Sequence, residues 1–84
     1  MKLSKRQTRV ILAFRRTLLR ARWPKMKWKD YISFYYYYKC YSYEHGEGIS
    51  KICFENWKNH VPIETSERNP YKSRYKELFE APSF

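Results

Sequence analysis

Residues 26–43 read Met26-Lys27-Trp28-Lys29-Asp30-Tyr31-Ile32-Ser33-Phe34-Tyr35-Tyr36-Tyr37-Tyr38-Lys39-Cys40-Tyr41-Ser42-Tyr43, and the fold depends on the period assigned to them. Read as a strand, Ile32, Phe34, Tyr36, Tyr38 and Cys40 alternate on one face, and tyrosine packs well on a pleated, half-buried surface. The turn His45-Gly46-Glu47-Gly48 would then close a β-hairpin with Cys40 facing Cys53. Read as a helix, the stretch gives an antiparallel neighbour to the segments on either side. Beyond the turn, Ile49, Ile52, Cys53, Trp57 and His60 recur at helical spacing, which favours the helical hairpin.

Upstream, Ser4-Lys5-Arg6-Gln7 has the form of a capping box, in which each side chain serves the other residue's backbone N–H. Val10, Phe14 and Leu18 follow at four-residue steps, widened by Ile11, Leu12 and Leu19, and predict the buried stripe of an amphipathic helix. Arg9, Arg16 and Arg20 line another face, extended by Arg15 and Arg22. Pro24 predicts a stop near Trp23, because the residue before a proline avoids the helical region. Downstream, Val61 to Asn69 reads as a polar connector. Asn69-Pro70 has the form of an N-cap followed by proline at the first helical position, and Tyr71, Tyr75, Leu78 and Phe79 give a short apolar stripe ending before Pro82.

The expected fold is therefore all-α: a small three-helix arrangement, a helical hairpin plus an N-terminal amphipathic helix, with an extended C-terminal tail carrying a short helix. The alternative is an N-terminal helix plus a β-hairpin. Residues 1–60 read as a single small helical domain and 61–84 as an extended segment docking on a neighbour.

A chain of 84 residues buries only about 60 to 65% of its unfolded surface, which leaves a marginal core. Nine Tyr, five Phe and three Trp supply much of its apolar content, and such rings suit surfaces covered by a partner. The net charge of +10 is unevenly placed. Residues 1–29 hold eleven Lys or Arg and no acid, whereas the remainder holds seven bases and eight acids, a net of 7 − 8 = −1. A one-signed block of this kind attracts an acidic protein, nucleic acid or an anionic membrane surface. The longest uncharged run, Tyr31 to Tyr38, is far too short for a transmembrane span. The opening stretch is Arg-rich, amphipathic and acid-free, the composition of mitochondrial import sequences, and no secretory h-region is evident.

Nothing in the sequence has the form of a catalytic site. Gly46 and Gly48 are the only glycines, so there is no phosphate loop, and the carboxylates are scattered singly. The expectation is a non-enzymatic protein. Cys40, His45, Cys53 and His60 are residue types that bind zinc, but their spacing matches no finger or ribbon. A Cys40–Cys53 disulfide suits the strand hairpin. The helical hairpin predicts free thiols, with Cys53 packed against the first helix beside Ile52 and Trp57. Tyr35 to Tyr38 could stack bases, yet consecutive rings point in different directions on either element and read first as packing groups.

The segment Ile11-Leu12-Ala13-Phe14-Arg15-Arg16-Thr17-Leu18-Leu19-Arg20-Ala21-Arg22 resembles the opening helix of the LYR-motif (complex 1 LYR-like) mitochondrial proteins. Their pattern is an aliphatic pair, a small residue, Leu-Tyr-Arg, one free position and Leu-Leu-Arg. Phe14-Arg15-Arg16 falls on the triplet, with Arg15 in place of the tyrosine, and Leu18, Leu19 and Arg20 match the closing Leu-Leu-Arg. The likeness covers about 20 of the 84 residues. It implies a basic, three-helical accessory subunit or assembly factor of a large complex such as a respiratory-chain complex, in the mitochondrial matrix or on the matrix face of the inner membrane. It also implies an acidic partner, the acyl carrier protein, whose acyl-pantetheine chain enters the helical core. The chain would bring no cofactor of its own. Partner-binding residues carried over are Phe14, Arg15, Arg16, Leu18, Leu19 and Arg20. Two other expectations stand beside this one: an RNA-binding structural protein of the mitochondrial ribosome, and a respiratory-complex subunit lying at the membrane surface through Trp23, Trp28 and the tyrosines.

Overall fold

The computed structural model describes residues 3–80. These form four α-helices, α1 (Lys5–Arg20), α2 (Trp28–His45), α3 (Lys51–Lys58) and α4 (Lys72–Tyr75), the last running into a π-helical turn, Lys76–Glu80. No strand occurs among the described residues, so the deciding stretch is a helix and the hairpin is helical. Its buried residues are Tyr31, Phe34, Tyr36, Tyr37 and Cys40, a set that strict alternation cannot produce. The aromatics are spread around α2 because α1, α3 and α4 all pack on it from different sides. A helix surrounded in this way needs apolar residues on more than one face.

The start of α1 follows its sequence signature. The Gln7 N–H donates to Ser4 Oγ at 3.1 Å and the Ser4 N–H donates to Gln7 Oε1 at 2.9 Å. The inward stripe differs from expectation: Ile11 and Leu18 are buried and Phe14 half-buried, while Val10 is exposed. Both 10/14/18 and 11/14/18 are permitted helical stripes, and contact with α2 selects the second. The helix ends at Arg20, three residues before Trp23. Arg22 takes the left-handed conformation (φ 62°), and the Arg22 and Trp23 N–H groups donate back to the Leu19 and Leu18 carbonyls. This Schellman ending turns the Trp23 ring into the core. An arginine there carries a steric cost that glycine would avoid. The end of α3 repeats the pattern with His60 at φ 55°, whereas α2 ends at Gly46, whose φ of 68° suits glycine.

α3 starts after Ser50, whose hydroxyl accepts from the Cys53 N–H at 3.2 Å, so Ile49 lies outside the helix. Cys53 is buried against α2, not against α1, because α1 and α3 each pack on α2 and not on one another. Ile52 is 65% exposed and does not join that packing. Both cysteines are free thiols. Burial pushes the Cys53 thiol up to about 12, with Glu47 adding to the shift, so it is an inert packing group.

Residues 61–80 pack on the chain itself. Ile63, Asn69 and Tyr75 are buried, so this segment shares the core of the preceding helices. Residues 81–84 lie outside the described part, as does the expected stop at Pro82. Tyr37 Oη donates to the Val61 carbonyl at 2.6 Å, and the Ile63 N–H donates to Tyr75 Oη at 2.8 Å. Asn69 does not cap α4, which starts at Lys72. Its Oδ1 accepts from the Tyr71 N–H at 2.9 Å, while its Nδ2 donates to the Cys40 carbonyl at 3.3 Å and to Glu44 Oε2 at 2.8 Å. A side-chain amide can thus shape a turn and tie it to a helix at once, which a capping reading of the sequence does not foresee.

A candidate docking face on the first helix

α1 carries its charge on the side turned away from α2. Lys5, Arg9, Arg16 and Arg20 are exposed and fall at i, i+4, i+11 and i+15, which puts them on one side of the helix. Arg6 is exposed beside them. No carboxylate occurs in the first turn to satisfy the helix dipole, so Lys5 and Arg6 oppose it. An ion pair joins Lys72 and Glu67 at 3.2 Å within the C-terminal segment, but among the described residues none of the α1 cations has an acidic partner. Self-repulsion of such a row is a standing destabilisation that an acidic surface would relieve.

Aliphatic groups flank the row. Leu12 and Leu19 sit at i and i+7 and are 38% and 42% exposed. Trp28, at the start of α2, is exposed, and the Arg15 guanidinium lies 5.8 Å from its ring centre. The sequence pattern placed both Leu12 and Leu19 in the buried stripe and gave Trp28 no place on this face. Helix phase alone would have moved Leu12 outward once Ile11 was known to be the buried member.

The six partner-binding residues expected from the resemblance divide in two. Leu18 is buried, and the half-buried Phe14 ring packs at 5.7 Å on Phe34, 5.2 Å on Tyr35 and 5.7 Å on Tyr38. These two position the helix. Arg16, Leu19 and Arg20 are exposed, and the half-buried Arg15 is held at Trp28.

The space between α1, α2 and α3 is filled by rings. Phe34, fully buried, has the centroids of Phe14, Trp23, Phe54 and Trp57 within 5.2–5.9 Å. A shallow apolar groove of about 370 Å³, lined by Trp23, Pro24 and Phe54 among others, lies at the rim of this interior.

Cys40 and Cys53 are buried while His45 and His60 are exposed, and among the described residues no three His, Cys, Asp or Glu side chains gather to hold a metal ion. None of the described helices is long and apolar enough to cross a membrane. No family model matches the chain, and no curated protein or solved structure matches it either.

Proposed function

We propose that this chain is a non-enzymatic accessory protein of a mitochondrial assembly that docks α1 on an acidic protein, the acyl carrier protein to which the LYR resemblance points. The observation carrying the reading is the row Lys5, Arg9, Arg16 and Arg20, without acidic partners among the described residues and flanked by exposed Leu12 and Leu19. Cations of one sign steer an acidic partner and fix its register, and the adjacent aliphatics provide the desolvated area that charge alone lacks. Recognition rests on the carrier protein's acidic surface.

The test is co-purification with acyl carrier protein, using wild type and the double variant Arg16→Glu/Arg20→Glu. The variant should lose the partner while its far-UV circular dichroism stays the same, because both side chains are exposed. Capture that survives both reversals, and also about 1 M salt, where the Debye length is about 3 Å, would refute the electrostatic reading. Recovery of ribosomal RNA in place of the carrier protein would hand this face to the RNA-binding alternative.

A further inference from the structure

A second feature lies further round α1, on its Val10 side, with Arg6 at the border between it and the cationic row. Val10 and Leu12 are two residues apart and so point in nearly opposite directions from the helix. On the Val10 side a groove of about 260 Å³ is walled by Arg6 and Val10 of α1, Tyr35 and Tyr36 of α2, and Tyr71 and Arg74 around the start of α4. Three segments distant in sequence converge there. Among the described residues no carboxylate lines the groove, although acids outnumber bases in the last two thirds of the chain.

The polar groups it offers are predominantly donors. Arg6 and Arg74 contribute guanidinium N–H groups, neither in an ion pair among the described residues. The hydroxyls of Tyr31, Tyr37 and Tyr75 are bonded to backbone groups, but those of Tyr35, Tyr36 and Tyr71 make no hydrogen bond among the described residues. Burial pushes the Tyr35 hydroxyl up to about 12, with neighbouring tyrosines adding to it. Burial also raises Tyr36, and Arg74 only partly offsets this, so both present O–H donors at neutral pH. The Arg74 guanidinium lies 6.0 Å from the Tyr36 ring centre, which holds that cation against the wall.

We propose that this groove binds a phosphate group, with Arg6 and Arg74 as its charge partners and the tyrosine hydroxyls as neutral donors. A phosphate has several acceptor oxygens and little use for acceptors in its site, which is the complement of what these walls present. A carboxylate would use only part of that donor set. The site is separate from the Arg16–Arg20 row, so it can hold when the docking proposal fails and fail when that proposal holds.

Isothermal titration of the full chain with pyrophosphate, uridine monophosphate and a short single-stranded oligouridylate tests it. Pyrophosphate should bind saturably, and Arg6→Gln or Arg74→Gln should each weaken it by at least about tenfold, the loss expected for one charge-assisted contact. Lys25→Gln, an exposed cation outside the groove, should leave it unchanged. Competition by the monophosphate places the phosphate on a small molecule, and competition only by the oligomer places it on a nucleic-acid backbone. Equal weakening by all three substitutions would mean diffuse charge attraction and overturn the proposal, as would the absence of saturable binding to every probe. Arg6 is exposed and removable without disturbing the core, so Arg6→Gln remains informative even if Arg74→Gln unfolds the chain.

Discussion

Phe34 and Tyr37 sit three residues apart on α2 and organise two different interiors. Around Phe34 lie Phe14, Trp23, Phe54 and Trp57, rings from α1, the α1–α2 link and α3. The polar bond at its margin is the Trp57 Nε1–H to Ser33 Oγ, at 3.0 Å. Around Tyr37 lie Tyr41, Tyr75 and Phe79, and two tyrosine hydroxyls reach backbone groups of residues 61 and 63. The contrast arises from what each ring covers. Helices satisfy their own backbone, so a cluster between helices can be apolar. The irregular stretch 61–71 cannot, and its buried N–H and C=O groups require side-chain partners. Tyrosine supplies ring area and a hydroxyl together, which explains why that residue populates the second interior.

The strongest way to break this comparison is Phe34→Ala. Removing a fully buried hub ring should cost about 3 to 5 kcal/mol, against a total of about 4 to 13 kcal/mol for 84 residues. A thermal melt followed by circular dichroism should show most structure lost near physiological temperature. A melting temperature unchanged from wild type would remove the hub from this account.

The tyrosine cluster should respond to loss of a single oxygen. Tyr75→Phe leaves the Ile63 N–H, in a residue only 7% exposed, without its acceptor and should cost about 1 to 3 kcal/mol. Tyr37→Phe frees a carbonyl on Val61, which is 42% exposed, where water can substitute. It should cost less, about 0.5 to 1 kcal/mol. Urea titrations of the two variants give the comparison directly, and equal losses would show that burial of the partner group does not set the scale.

The segment 61–80 should also feel acid more than the Phe34 interior does. Glu44 Oε2 accepts from the Ser66 N–H at 2.8 Å, from Asn69 Nδ2 at 2.8 Å and from Ser66 Oγ at 3.1 Å. The Ser66 backbone donor, then Asn69, holds its carboxyl below the ordinary value of 4.5. A depressed folded value stabilises above the unfolded one, so the contribution is full above about 4.5 and is lost as pH falls through the folded value. Cleavage within 61–71 by pepsin, which is active in acid, should accelerate as pH falls below about 4.5, and Glu44→Gln should flatten the response. The smallest effect lies at the end of α1. Arg22→Gly relieves a left-handed arginine and should raise stability by about 0.5 to 1 kcal/mol after the glycine's extra unfolded entropy is counted. Calorimetry resolves such a gain, and a loss would mean the Arg22 side chain makes a stabilising contact.

What could be read from the sequence was what is local in it. The capping box at Ser4 and Gln7 lies within four residues, and the helical period of 26–43 could be argued from its continuation at Cys53 and Trp57. The exposure of Arg16 and Arg20 is a matter of helix phase, whereas Leu19, expected to widen the buried stripe, is exposed. Val10 and Ile11 could not be separated, because both complete a stripe through Phe14 and Leu18 and only the position of α2 chooses between them. Asn69 looked like a helix cap because its partners, Cys40 and Glu44, lie more than two dozen residues away in the chain. The same distance hid the Arg6–Arg74 groove, which no single window of sequence contains.

The central position of α2 also bears on how the chain assembles in time. α1 and α3 are its immediate neighbours in sequence and each packs on it alone, so both can zip onto a nascent α2 through short loop closures that cost little entropy. The segment 61–80 must wait, since Tyr37, Cys40 and Glu44 offer it anchoring points only once α2 is formed. Amide exchange in the native state should therefore retreat in the reverse order, with the backbone of 61–71 opening first and the middle of α2 surrendering its protons last.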